Sequence, residues 1–434
     1  MLCIELTLNL FYILYWACYI IIHRPKISKG VLGVSKKRKT KFSEIVRTAG
    51  RYSLLILYHI TVGLYLRIAY NLRRTKDSDR LPKGPFVLLG NHCNNLDGLF
   101  LQCMMMRPVH FIITDTVFRK PWLGALLTWA GFIPKRKFTS DVVAVRQLIR
   151  AVDAGGVIGI FPEGMRSWDG RSVAIAPATF KLIKLLKVPV VTAHIMGSYL
   201  SGPRWANTSR RGRVEVKLTT LMDAQTMRSL SLADISSRIS EALAHDEAVW
   251  QAEKHIPFRG ERLAEGFERL LYICPECESI GTIVTHKRRI YCSACGAEYA
   301  LDVYGNISSV RGKLPANNAA ELNAWEFNQF KWYIARHTGD ALIRDECARL
   351  SRSTVNIGSS DEIAVGTAIL TRSALLVRNL FFPLSEITGT ALNFKSGLMF
   401  RHGEFEYLLQ FDNPRVSIHK WGCAFEIITG NPVG

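Results

Sequence analysis

The stretch PFVLLGNHCNNLDGLF, Pro85 to Phe100, runs from an apolar segment through a polar turn into a second apolar segment. Phe86 to Leu89 are all large and apolar, without alternation, which is how a strand buried on both faces reads. From Asp97 the pattern predicts a helix to about Met106. A buried strand that hands over to a helix across a short polar turn is the unit of an α/β sheet, and such sheets form their sites outside the carboxyl ends of the strands. His92 falls at that place. Asp97, five residues on, falls at the start of the helix, where free N–H groups favour a carboxylate. The turn can fold Asp97 back onto the imidazole. The pair is therefore read as a catalytic dyad, in which the carboxylate fixes the tautomer and stabilises the imidazolium while the ring acts as general base. The same spacing recurs at His110 and Asp115 in PVHFIITDT. There the histidine lies inside an expected strand, and an offset of five puts the two side chains on opposite faces. His110 is read as a packed strand residue.

Outward from this stretch, further strands are expected at 109–114, 157–161, 188–195 and 213–219. Helices are expected at 121–133 with a stop at Gly131, at 141–154, at 179–187 and as one long stretch over 230–254. This alternation predicts an α/β domain over 81–255, a mostly parallel sheet covered by helices. Residues 1–80 are expected to anchor the chain to a membrane. Leu2 to Ile22 is almost wholly apolar and about the length of a span. A basic linker follows, and Tyr52 to Tyr70 reads as an interfacial helix lying in the membrane plane. The basic flank predicts that the catalytic domain faces the cytoplasm. The formal net charge of +20 implies an anionic partner, and with an adjacent span the acidic lipid surface is preferred over nucleic acid.

The 10 cysteines do not spell a disulfide framework. Four form two knuckles, CPEC with Cys274 and Cys277 and CSAC with Cys292 and Cys295, followed by Gly296. That spacing predicts a structural zinc ribbon with four thiolate ligands, inside a linker-and-ribbon region at 256–310. Residues 311–434 read as a helical segment, AAELNAWEFNQFKWYIARH, then short strands and a closing helix, a β-rich domain PH- or GRAM-like in outline.

A second informative turn is IFPEGMRSWDGR, Ile160 to Arg171, which follows a buried strand and carries Glu163, Gly164 and Arg166. No Gly-x-Ser-x-Gly elbow is present, so the simplest nucleophile is the substrate's own hydroxyl. Four blocks in order resemble the PlsC-type glycerolipid (lysophospholipid) acyltransferases. They are Asn91-His92-x4-Asp97, GFIPKRK with Gly131, Ile133 and Arg136, FPEGMRS from Phe161 to Ser167, and VPVVTAHI with Pro189. Met165 stands where the family usually has Thr. The resemblance spans roughly residues 55–245. It implies acyl transfer from an acyl-CoA or acyl-carrier-protein thioester to a lysophospholipid, above all 1-acylglycerol 3-phosphate. His92 and Asp97 would be catalytic. Asn91, Arg136, Glu163, Gly164 and Arg166 would bind the acceptor, with the two arginines near its phosphate. Another lysolipid, glycerol 3-phosphate, or a non-catalytic lipid-binding scaffold stand as alternatives.

Overall fold

The computed structural model describes residues 36–135, 141–354, 361–393, 397–431 and 433. The expected span Leu2 to Ile22 and the candidate Arg136 lie outside these residues. The first sheet contains β1 (Arg73–Arg74), β2 (Phe86–Gly90), β3 (Val109–Thr114), β4 (Ile133–Lys135), β5 (Val157–Ile160), β6 (Val190–Met196) and β7 (Glu215–Met222), in the order β1-β7-β6-β2-β5-β3-β4. Every neighbouring pair is parallel except β6–β7. The mostly parallel α/β sheet is thus present. All residues of β2 and β5 are buried, whereas β7 alternates over much of its length. Central strands covered on both faces need unbroken apolar sequence, and a half-covered strand needs only one apolar face.

Register decides where the site forms. Leu89 of β2 pairs with Ile160 of β5, and Gly90 pairs with Ala193 of β6. The three strands run parallel, so the turns that begin at Asn91, Phe161 and Gly197 emerge side by side. Gly90 lets them close up, because a Cβ there would stand 2.9 Å from the Phe161 ring and 3.0 Å from Leu101.

Two helical expectations change. The stretch 230–254 is two helices, Leu232–Leu243 and Glu247–Lys254. The break comes at Asp246, whose carboxylate accepts the N–H groups of Ala248 and Val249 and so starts a new helix. The apolar run 52–70 belongs to a longer helical rod. It runs Lys36–Tyr58, passes through a wide turn at His59–Gly63 and continues over Leu64–Ala69. Leu66 and Tyr70 are buried in the core beneath the sheet. Tyr58 donates to Leu99 O at 2.6 Å and Arg67 to Cys103 O at 3.0 Å. On the other side Tyr52, Ile56, Ile60, Leu64 and Ile68 are exposed, Ile68 by 74%. The segment Arg47–Ala69 is long and apolar enough to cross a membrane, by length and composition.

The second half holds a four-stranded antiparallel sheet, β8 (Ile283–His286), β9 (Arg289–Cys292), β10 (Glu298–Leu301) and β11 (Ile307–Arg311). The helix Ala319–Arg336 follows. Then comes a seven-stranded antiparallel sheet, β12 (Ile343–Thr354), β13 (Asp361–Leu370), β14 (Ala374–Val377), β15 (Leu380–Pro383), β16 (Ile387–Asn393), β17 (Gly397–His402) and β18 (Phe405–Phe411), closed by the helix Ile418–Thr429. One continuous apolar cluster runs from the ribbon strands through both helices to this sheet.

Candidate active site

His92 leaves β2 with its imidazole stacked on Phe161, ring centroids 4.4 Å apart. Its Nδ1 lies 2.8 Å from Asp97 Oδ2, with 23% of the His92 side chain exposed and none of Asp97. The buried carboxylate is fully engaged. Oδ2 also accepts the N–H groups of Cys93 at 2.7 Å and Asn94 at 2.8 Å, and Oδ1 accepts the Ser198 hydroxyl. Oriented donors of this kind fix the plane of the carboxylate. With Asp97 accepting from Nδ1–H, the ring presents Nε2 as the basic nitrogen.

The main chain of His92 is gripped at both ends by the neighbouring turn. Its N–H donates to Glu163 Oε1 at 3.1 Å, and its carbonyl accepts the N–H of Ser167 at 2.9 Å. Glu163 is buried, and its other oxygen accepts the N–H of Val173 at 3.0 Å. Burial pushes its carboxyl up to about 8, against the two backbone donors and with a small push from Asp97 in the same direction. The side chain thus ties two loops together. Gly164, at φ +74°, turns the chain where an L side chain is strained, and its own N–H is taken by Phe161 O at 3.2 Å.

Arg166 is largely shielded, and its guanidinium has no hydrogen-bond or ion-pair partner among the described residues. Burial lowers its pKa while the Asp97 charge opposes that shift. A shielded cation that feels the Asp97 charge, with its donors unused, is suited to an anionic group. Asn91 behaves differently. It is buried, its amide N–H donates to Ile195 O at 3.0 Å, and its oxygen accepts Ile195 N–H at 2.7 Å. Both ends of the amide tie β2 to β6.

The sequence reading did not include Phe161 as a ring partner, Ser198 as a ligand of Asp97, or Asn94, whose amide donates to Ser198 O and Ser201 Oγ at 3.0 Å each. Ser198 could have been found by asking which polar residues follow the strand that pairs with β2, since HIMGSYLSG does so directly. His110, the other histidine of the repeated spacing, bonds through Nδ1 to Gly131 O at 2.8 Å. Burial lowers its pKa.

The four knuckle sulfurs lie within 4.8 Å of one another and could hold a metal ion. Cys274 and Cys295 stand 3.8 Å apart, Cys277 and Cys292 3.7 Å. The two knuckles are built alike. The residue after each second cysteine has positive φ, +58° at Glu278 and +72° at Gly296, and returns its N–H to the first cysteine's carbonyl. On the hairpin between them, Arg289 pairs with Glu298 at 3.2 Å and Arg288 donates to Gly260 O.

The chain is similar to known proteins over part of its length. Residues 72–196 match the family model described as Acyltransferase. A chloroplastic 1-acyl-sn-glycerol-3-phosphate acyltransferase of Brassica napus is 28% identical over 116 residues, which is 26% of this chain and 33% of that protein. The 1-acyl-sn-glycerol-3-phosphate acyltransferase of Borreliella burgdorferi is 27% identical over 108 residues, 24% of this chain and 43% of that protein. The crystal structure of the 1-acyl-sn-glycerophosphate acyltransferase PlsC from Thermotoga maritima superposes with a TM-score of 0.41 at 20% identity, covering 55% of this chain and 93% of that one. The match therefore spans well under half the length of the curated relatives. The fold and the matched segment define an acyltransferase domain. The matched residues carry the His92, Glu163 and Pro189 blocks.

Proposed function

We propose that the chain transfers a fatty acyl group from an acyl thioester to the hydroxyl of a lysophospholipid, with 1-acylglycerol 3-phosphate as the acceptor and phosphatidic acid as the product. The observation that carries this reading is the buried Asp97 on His92 Nδ1, with Arg166 feeling that carboxylate's charge and having no side-chain partner among the described residues. His92 Nε2 takes the proton of the acceptor hydroxyl as that oxygen attacks the thioester carbonyl. The tetrahedral intermediate then collapses, the C–S bond breaks, and the same proton passes to the departing thiolate. Arg166 binds the acceptor phosphate and Glu163 holds the loop that carries it. Arg136 is proposed as a second phosphate ligand. The N–H groups of Met165 and Arg166, which have no acceptor among the described residues, are the candidate donors to the oxyanion. The donor is acyl-CoA or acyl-carrier protein. Purified full-length protein, assayed with both donors against a panel of lysolipids and glycerol 3-phosphate, tests this. Transfer fastest to 1-acylglycerol 3-phosphate is expected. Absence of transfer to every acceptor overturns it.

The helix Arg47–Ala69 supports membrane association, and we place it in the interface rather than across the bilayer. Its inner face is committed to the protein core while its outer face is apolar. The metal is proposed to be structural zinc. Four sulfurs each about 2.3 Å from one zinc stand about 3.8 Å apart, which agrees with the 3.7 and 3.8 Å spacings. Thr282 on Cys292 and Ser279 on Cys277 supply hydroxyls at 3.3 and 3.2 Å around the thiolates. Elemental analysis is expected to give one zinc per chain, with a loss of zinc and of melting temperature in Cys292→Ser. Zinc-free protein of unchanged stability sinks the assignment.

A further inference from the structure

We infer that the C-terminal half is a working part of the acceptor site, because it holds in place the loop that carries Arg166. The inference rests on the acyltransferase reading for its functional meaning. Its structural content stands on contacts that cross between the two halves of the molecule.

The loop 161–176 has no regular secondary structure between β5 and the helix Pro177–Leu186. A loop of that length keeps one conformation only if other parts of the chain fix it. Four ties are present. Trp168 and Trp205 belong to the apolar cluster of the ribbon and C-terminal sheet, and Met165 packs against that cluster. Met165 is the position where the family pattern usually has threonine, so this departure adds an apolar contact to that cluster. The buried Arg204 reaches both halves at once. Its Nη1–H donates to Arg166 O at 2.9 Å, its Nη2–H to Leu392 O of β16 at 3.3 Å, and its guanidinium lies 4.5 Å from the Trp168 ring centroid. The His419 imidazole, on the last helix, stacks on the same tryptophan at 4.7 Å.

The fourth tie is a polar chain. His419 Nε2 and Asn323 Oδ1 are 2.8 Å apart, Asn323 Nδ2 donates to Asp169 Oδ2 at 2.9 Å, and Asp169 Oδ1 accepts from Ser167 Oγ at 3.1 Å. Ser167 N–H ends on the His92 carbonyl. Trp168, Arg204, Asn323 and His419 are therefore positioning residues. They touch no reacting atom, but they set where the Arg166 main chain stands relative to His92. A catalytic group displaced by a remote change loses rate steeply, up to about 100-fold for an error near 1 Å.

The test uses full-length protein with Arg204→Met, Asn323→Ala, Trp168→Ala and Trp168→Phe. Three quantities are read: KM for acceptor and donor separately, hydrogen–deuterium exchange of residues 161–176 in unliganded protein, and melting temperature. Arg204→Met and Asn323→Ala are expected to raise the acceptor KM by about 10- to 100-fold, leave the donor KM in place and speed exchange in the loop. Trp168→Phe is expected to recover most of what Trp168→Ala loses, since the indole N–H has no partner among the described residues and the ring face is what matters. Wild-type acceptor KM and exchange in Arg204→Met and Asn323→Ala overturn the inference. So does a loss shared equally by donor and acceptor that simply follows a lowered melting temperature. If the wild-type protein transfers no acyl group at all, the acyltransferase reading fails, and the exchange measurement alone decides whether the second half holds the loop.

Discussion

His92 and His110 begin the same five-residue spacing to an aspartate, yet they occupy opposite kinds of place. His92 stands just beyond the end of β2, where the main chain is free to turn, and its aspartate comes back to meet it at 2.8 Å. His110 stands inside β3, where the pleat sends the ring toward Gly131 and its hydrogen bond goes to a main-chain carbonyl. Asp115 opens a short 3₁₀ turn after the strand and makes no hydrogen bond to His110 among the described residues. Spacing alone is therefore uninformative. What turns a histidine and an aspartate into a pair is the end of a strand between two parallel neighbours, with donors ready for the carboxylate.

The largest effect expected from this contrast is in His92→Ala, which should lower turnover by roughly 10²–10⁴-fold with the melting curve nearly unmoved. An active, folded His92→Ala enzyme would show that the wrong histidine has been chosen. Asp97→Asn should follow, with a loss on the order of 10²-fold. Its amide oxygen can still accept from the 93–94 main chain and its amide N–H can donate to Ser198. The fold should survive while the imidazolium loses its counter-charge. Full activity in this variant would reduce Asp97 to a turn-forming residue.

A smaller effect concerns pH. The Glu163 carboxyl holds its proton in the folded protein to about 8, whereas in the unfolded chain it is lost near 4.5. Between those values the folded state binds more protons, so stability should fall as pH rises through this window. In Glu163→Gln that slope should be shallower, read as melting temperature against pH. An equal slope in both proteins would mean that Glu163 is already ionised at neutral pH. The smallest effect is expected in His110→Ala: turnover close to wild type, and about 1–3 kcal/mol of stability lost with the bond to Gly131. A stable but inactive His110→Ala protein would reverse the comparison.

Much of the α/β sheet could be read from the chain because its central strands are unbroken apolar runs bounded by Gly, Pro or polar turns. Strand β4 escaped notice. It has only three residues and contains Pro134, which its edge position tolerates. Strand β12 escaped for a related reason, since a polar sequence such as IRDECARLSRST is made into a strand by its neighbours rather than by its own pattern. The His92–Asp97 pairing and the cysteine cluster were legible because each lies within one short local motif. Ser198, the double use of Asn91 and the grip of Arg204 on the Arg166 loop were not. Each joins residues about a hundred positions or more apart, or joins the two halves, and local patterning carries no trace of such contacts.

The wide turn at His59–Gly63 has a consequence for the shape of the apolar face beside it. In an α-helix a step of four residues overshoots a full revolution by about 40°. The row Tyr52, Ile56, Ile60, Leu64, Ile68 would therefore wind by about 160° and bring its last member nearly behind its first. A turn closed by i→i+5 bonds winds more slowly, and it falls in the middle of this row. The phase lost there offsets part of the phase gained along the row. All five side chains of the row are exposed, so the rod carries an apolar ridge that winds less than it would along an unbroken α-helix.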